Sequence, residues 1–404
     1  MAALDARPAP APYCALPLNL ENRLNVRRIA AILALFPCVL VHAAALDDDA
    51  RLRAAVDAAV KPVMRAYDVP GMAVAVTVGG RTRYFNYGLA SRESGAKVDE
   101  HTLFELGSIS KTFTATLALD AAAAGKLKLD AHPSTYLPAL KGTAVDRATV
   151  LDLGTYTVGG LPLQVPDEIE DDAQARTWLQ GWQPDAAPAS VRRYSNPSIG
   201  LLGRAAARAL DMDFTAAVQA RIFAPLGLKE SFYRVPADAM GRYAWGYNDA
   251  GKPVRVNPGV FDMEAYGVKS SAADMIRVVQ ANIAPSGPLQ RALEGSHVGY
   301  FQAGGMVQGL GWEQYPYPVT QEMLLAGNAE TMIRQANPVT RLVPPRAAAL
   351  ATLFNKTGST GGFGAYVAFV PAREIGVVIL ANRNFPIPAR VKVGHALLGV
   401  LVHG

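Results

Sequence analysis

Ser108 and Lys111 stand three residues apart in Phe104-Glu105-Leu106-Gly107-Ser108-Ile109-Ser110-Lys111-Thr112-Phe113, where an apolar, alanine-rich helix from Thr112 to Ala124 is expected to begin. Positions i and i+3 share a helix face, so the Lys111 ammonium can reach the Ser108 hydroxyl and the pair can act as nucleophile and base. Unpaired backbone N–H groups at a helix start favour a developing negative charge. One short segment can therefore supply attack, proton transfer and part of an oxyanion hole. A bare S-x-x-K is weak evidence, since the chain holds a second copy in Ser94-Gly95-Ala96-Lys97. That copy follows Arg92-Glu93 in a polar turn with no helix to fix its geometry and reads as a coincidence. Taken alone, Ser108 would be an ordinary helix cap.

Two further groups follow downstream. Tyr194-Ser195-Asn196 comes after Arg192-Arg193 and before a helix, so a phenol and an amide project from one turn. Lys356-Thr357-Gly358 follows an expected strand over Leu350 to Phe354, and the glycines from Gly358 to Gly364 allow close approach of backbone or ligand. By default the tyrosine would be core or surface and the lysine solvated. In the order S-x-x-K, Y-x-N, K-T-G, however, the three resemble the serine β-lactamase and penicillin-binding-protein superfamily. The resemblance is closest to the class C (AmpC-type) β-lactamases. It extends through Thr155 to Glu168, Glu264 to Ser270, Gln308 to Glu313, Lys356 to Pro371 and Leu380 to Asn384.

This resemblance implies hydrolysis of β-lactam antibiotics, cephalosporins preferentially, through a serine acyl-enzyme that needs no cofactor. It implies Ser108 as nucleophile and the backbone N–H groups of Ser108 and Ser359 as oxyanion hole. Lys111 and Tyr194, the latter expected between Lys111 and Lys356, would share the proton, and which of them is the base stays open. Lys356, Thr357 and Gly358, with Asn384 and Arg390, would hold the substrate carboxylate. Gln164 and Asn196 would bind the acylamido side chain, with Tyr266 lining its pocket. Many members of the family carry asparagine where this chain has Ile387, which weakens half of the carboxylate clamp.

Class A is excluded because Tyr194-Ser195-Asn196 replaces its Ser-Asp-Asn element and the only E-x-x-L-N, Glu21 to Asn25, lies upstream of Ser108. The zinc-dependent class would need paired ligand spacing that His101, His132, His297, His395 and His403 do not show. Other readings kept open are a D-alanyl-D-alanine carboxypeptidase, an esterase, and a non-hydrolysing β-lactam-binding sensor.

The elements that must position these groups are legible in outline. At 404 residues, 50% hydrophobic and 18% charged, the chain can bury a large core. Arg27-Arg28, the apolar run Ile29 to Val41 and Val41-His42-Ala43-Ala44-Ala45 have the parts of a secretory signal peptide, with cleavage expected after Ala43 or Ala45 and export to the periplasm. The run is shorter than the roughly 20 residues that span a bilayer, so no stable membrane anchor is expected. Four arginines against two acids in residues 1–45 account for +2 of the net +5, and a remainder of +3 without a basic run gives no reason to invoke nucleic acid. Cys14 and Cys38 both fall in this leader, leaving a mature chain without cysteine. A monomer is expected.

Residues 46–404 are expected to form the catalytic domain. Leu46 to about Tyr67 reads as a helix, followed by a hairpin of Met72 to Val78 and Thr82 to Leu89 around Gly79-Gly80. Roughly 122–197 reads as an inserted helical subdomain, with a surface loop at Gly159 to Asp167. Strands over Leu350 to Phe354, Ala365 to Val370 and Ile375 to Ala381 precede a final helix from Pro388 to about Val402. The resulting expectation is an α/β (α+β) serine β-lactamase-like fold, an antiparallel sheet of N- and C-terminal strands flanked by the terminal helices.

Overall fold

In the computed structural model, which describes residues 36–347 and 351–403, two left-handed glycines, Gly79 and Gly80, close the expected hairpin between β1 (Gly71–Val78) and β2 (Arg81–Gly88). A two-residue turn with both φ angles positive matches the right-handed twist of the strands it joins. The chain divides into two units, residues 1–50 and 51–404; the sheet and cleft described below belong to the second. The expected leader signals up to Leu35 lie outside the described residues. The first helix, α1 (Phe36–Ala66), begins well before the expected start near Leu46, and Asp47 to Asp49 lie inside it. Pro37 is its second residue, where the missing N–H removes no helical bond.

The sheet is larger than the termini alone provide. Between the ends, β3 (Gly299–Ala303), β4 (Met306–Gly309), β5 (Glu313–Pro316) and β6 (Thr340–Arg346) join β7 (Thr352–Ser359), β8 (Gly364–Val370) and β9 (Ile375–Ala381). Nine strands run in the order β6-β3-β4-β5-β7-β8-β9-β1-β2, all pairs antiparallel. The four middle strands lack an apolar alternation. Gln308, Glu313 and Gln314 are buried there as polar residues, which only tertiary partners can satisfy. β6 carries Pro344-Pro345, which is tolerated because it is the sheet edge.

Both faces are covered. Met72, Val74 and Val76 with Leu353, Val377 and Ile379 pack against Val56 and Val60 of α1 and Val391, Leu397 and Leu398 of α5 (Ile387–His403). Ala73, Ala75, Phe369, Val378 and Leu380 face a second core that includes Met275, Ile276 and Val279. Burial on both sides is why β9 reads as an unbroken apolar run. Beyond that second face lies the helical region, including α2 (Ser110–Ala123), α3 (Asn196–Ala209) and α4 (Ala272–Ile283).

Candidate active site

Ser108 is held by a sequence of small constraints. Phe104 and Glu105 pair with Ser270 and Lys269, and Gly107 then turns the chain with φ +52. The result differs from expectation: Ser108 lies in a 3-10 turn, Gly107–Ile109, and α2 starts only at Ser110. The tighter turn brings side chains three apart nearly into register, and Lys111 Nζ stands 2.9 Å from Ser108 Oγ. Lys111 is fully buried and donates also to the Ala265 carbonyl at 2.8 Å. Ser94 and Lys97, the second copy of the motif, line no part of the cleft around Ser108.

A second correction concerns Lys356-Thr357-Gly358. These residues lie within β7, not after it, because pairing with β8 continues to Ser359 opposite Gly364. The strand end is pressed against the turn that carries Ser108. A Cβ on Gly358 would stand 1.9 Å from the Leu106 carbonyl oxygen, and one on Gly107 would stand 2.4 Å from Ser359 N. Gly358→Ala is therefore expected to destabilise the fold by about 1–3 kcal/mol and to lower kcat/KM. Gly361→Ala, whose Cβ meets nothing within 4 Å, should leave both unchanged. Thermal melts and steady-state kinetics on the pair provide the check.

Tyr194 sits between a short strand, Val191–Arg192, and the start of α3, where Ser195 Oγ caps the helix by accepting from Ser198 N–H at 3.1 Å. Its ring lies 5.0 Å from Lys111 Nζ and 4.9 Å from Lys356 Nζ. Its buried Oη makes no hydrogen bond of ordinary geometry. Burial alone would raise this phenol, but the two ammonium groups, helped by Ser108, bring it down to about 8. Lys111 is likewise brought down to about 8, first by burial and then by the like charge of Lys356, with Tyr194 opposing. Burial pulls on Lys356 too, yet Glu313 and Tyr194 outweigh it and hold this lysine above its ordinary value.

Glu313 and Arg192 were not among the residues expected to matter. Arg192 is 2% exposed; it donates to Gln308 Oε1 at 2.6 Å, to the Met332 carbonyl at 2.7 Å and to Glu313 Oε1 at 3.3 Å. The same Glu313 oxygen lies 3.7 Å from Lys356 Nζ. One buried carboxylate thus balances two cations beside Tyr194. The arginine's position two residues before Tyr194 was a usable signal; for Glu313 the sequence offered only its place at the end of the family-like stretch Gln308 to Glu313, with no role attached.

The cleft occupies about 830 Å³, and Ser108, Tyr194, Lys356, Thr357, Gly358 and Ser359 line it together. Gln164, Asn196, Tyr266 and Asn384 also line it, as does Ile387. Gln164 is exposed on its loop, whereas Asn196 is buried with an Oδ1 that no protein group satisfies. The Asn196 N–H donates to the Leu163 carbonyl at 2.9 Å, which ties the loop to the start of α3.

Arg390 departs from its expected role. It is 1% exposed, and its guanidinium donates to Phe385 O from Nε (2.8 Å) and Nη2, to Gly358 O (2.5 Å) and Ser359 Oγ (2.9 Å) from Nη1, and to Asn384 Oδ1 (2.6 Å) from Nη2. A guanidinium has five N–H donors, and all five are engaged. Arg390 buttresses the end of β7 and leaves no donor for a substrate carboxylate.

Known proteins share this fold. The Beta-lactamase family model matches residues 56–401. A beta-lactamase of Pseudomonas fluorescens is 51% identical over 353 residues, 87% of this chain and 99% of the relative. The solved beta-lactamase/D-alanine carboxypeptidase of Pseudomonas syringae superposes with a TM-score of 0.84 at 47% identity, covering 86% of this chain and 99% of that one. A class C beta-lactamase solved with cefoxitin gives 0.85 at 44% identity over 87% and 99%. With Ser108 and the flanked Tyr194 lining one cleft and Lys111 buried against Ser108 in the same fold, the chain belongs to the beta-lactamase family, among its class C serine enzymes.

Proposed function

We propose that Ser108 is the nucleophile, that Lys111 and Tyr194 act as one proton-sharing unit, and that the backbone N–H groups of Ser108 and Ser359 receive the oxyanion. The chain hydrolyses β-lactams through a serine acyl-enzyme, and the observation that carries the assignment is the Lys111 Nζ to Ser108 Oγ contact of 2.9 Å with Tyr194 flanked by two lysines. In acylation the Ser108 Oγ–carbonyl bond forms while its proton passes to the Lys111/Tyr194 pair. The lactam C–N bond breaks and the ring nitrogen takes a proton from Tyr194. Water then attacks the ester carbonyl as the pair takes one of its protons, and that proton passes to Ser108 Oγ as the ester C–O bond breaks, which restores the serine and the pair and releases the product as its carboxylic acid. Because the two groups interact strongly, their apparent pKa values belong to the pair.

Lys356, Thr357 and Gly358 bind the substrate carboxylate, with Asn384 at the same end of the cleft. Gln164 and Asn196 hydrogen-bond the acylamido side chain, and the unsatisfied Asn196 Oδ1 supports that role; Tyr266 lines its pocket. Residues 46–404 act as the catalytic domain, with 122–197 as its helical insertion, exported to the periplasm on the 1–45 leader and working as a monomer on cephalosporins preferentially. No helix among the described residues is long and apolar enough to cross a membrane. The test is turnover of a chromogenic cephalosporin by the purified chain with and without a chelator. Equal turnover in both is expected; no turnover, or loss on chelation, would refute the mechanism.

The name of the Pseudomonas syringae neighbour favours a second reading, D-alanine carboxypeptidase activity at the same serine. Acylation would be unchanged and deacylation of a penicillin slow, so a Ser108 penicilloyl adduct would persist for minutes to hours in a mass spectrum. Ile387 supplies a finer prediction. It is half-buried on the cleft wall and cannot hydrogen-bond a carboxylate. Ile387→Asn should lower KM for anionic cephalosporins by about 2- to 10-fold, the value of one hydrogen bond, with kcat little changed.

A further inference from the structure

Glu105 belongs to none of the groups assigned above, yet it is 2% exposed and stands three residues before Ser108. Its Oε1 accepts from Tyr243 Oη at 2.6 Å and from the Val256 N–H at 2.8 Å; its Oε2 accepts from Thr360 Oγ1 at 2.5 Å. The donors come from three separate stretches: the end of the Ala237–Arg242 turn, the loop that lines the cleft at Val256 and Asn257, and the residue after Ser359. No cation is salt-bridged to Glu105 among the described residues. Lys269, opposite it in the strand pair, donates instead to the Tyr233 and Gly267 carbonyls. Arg255 lies over the Tyr243 and Trp245 rings at 3.9 and 4.1 Å and donates to the Tyr243 and Ala244 carbonyls.

A buried carboxylate satisfied only by neutral donors is an expensive way to hold a fold. What distinguishes this one is where its bonds lead. One oxygen reaches Thr360, directly beyond Ser359, while the backbone of Glu105 leads in three residues to Ser108. β7 stops pairing at Ser359, and Thr360 turns back with its N–H on the Phe363 carbonyl at 3.0 Å. On the side facing the nucleophile, Ser359 is held by contact with Gly107 and by the Thr360 tether.

We propose that Glu105 is the positioning residue of the oxyanion hole, setting the spacing between the Ser108 and Ser359 N–H groups through Thr360 and holding the cleft loop through Val256. The inference rests on the assignment of those two N–H groups made above. A small displacement of one oxyanion donor weakens binding of the tetrahedral state more than binding of the substrate.

The test compares Thr360→Val, Thr360→Ser, Glu105→Gln and Glu105→Leu with the parent and with Ser108→Ala. Three quantities are measured on each: kcat/KM, the affinity for phenylboronic acid, which adds to the serine as a tetrahedral adduct, and the melting temperature. Thr360→Val should lose about tenfold in both kcat/KM and boronate affinity while its melting temperature stays within a few degrees of the parent. Thr360→Ser, which keeps the hydroxyl, should restore both. Glu105→Gln should fall between, because its oxygen can still accept from Tyr243 and Val256 and its amide can donate to Thr360. Glu105→Leu should be the most impaired. Parent-like boronate affinity in Thr360→Val and Glu105→Gln, with Ser108→Ala inactive, would overturn the tether. Turnover surviving in Ser108→Ala would instead overturn the site assignment beneath it.

Discussion

Ser108→Ala should lower kcat/KM for a chromogenic cephalosporin by on the order of 10⁵-fold, with the melting temperature within a few degrees of the parent. The size of the loss follows from the route. Among the described residues, the buried Lys111 Nζ donates to Ser108 Oγ and to the Ala265 carbonyl, so Ser108 is the aliphatic hydroxyl it can activate. Without Ser108 no acyl-enzyme forms, and what remains is the modest help of the oxyanion donors to direct water attack. Stability should hold because Ser108 is only half-buried and its hydroxyl caps no helix. Mass spectrometry after mixing with a penicillin gives an independent readout: the parent shows a transient mass increase that the variant lacks. A variant within tenfold of the parent would place the nucleophile elsewhere.

Lys356→Gln should produce the second largest change, and its signature is in the pH profile. Attack requires the Lys111/Tyr194 pair to have given up one proton, so kcat/KM in the parent should rise with pH and level off above about 8. The Lys356 charge favours the deprotonated form of both groups, since it stabilises a phenolate and disfavours a second ammonium. Removing it leaves Glu313 balanced by Arg192 alone, so more of its charge acts on the pair, which favours the protonated forms still further. Every contribution has the same sign: the rising limb moves to higher pH, by about one to three units. At pH 7 the variant should be at least about tenfold slower, and part of that deficit should return at pH 9–10. If Lys356 only bound the substrate carboxylate, the loss would appear in KM at every pH and the limb would not move.

Glu313 shows why part of the site was hidden from the sequence. It is 121 residues from Arg192 and 43 from Lys356, and its three neighbours on β5 carry no catalytic motif. Only antiparallel pairing of β5 with β7, which sets Glu313 opposite Asn355, brings its carboxylate beside Lys356. The same cause explains the four unforeseen middle strands. A strand with Gln308 or Glu313 in its interior shows no apolar alternation, and its burial is supported by Arg192, which reaches across from the segment before α3 to donate to Gln308 Oε1 and Glu313 Oε1. Arg390 failed in the opposite way. Its place near Asn384 suggested a clamp, but the sequence could not show that the turn through Phe385 and the end of β7 would engage all its donors.

Residue order along the chain was enough to put Lys111 within reach of Ser108 and to read the order of the three motifs, the opening hairpin and the apolar strands at the C-terminus. These depend on local spacing, turn residues and runs of apolar side chains, all properties of neighbours along the chain. The tertiary structure decided the rest: that Ser108 sits in a 3-10 turn, that Lys356 lies inside a strand, that Glu313 and Arg192 set the charge around Tyr194, and that Glu105 reaches Thr360. Each of these turns on a contact between residues distant along the chain. In a buried site such contacts set both the spacing of donors and the stability of charge, because little water remains to screen or replace them.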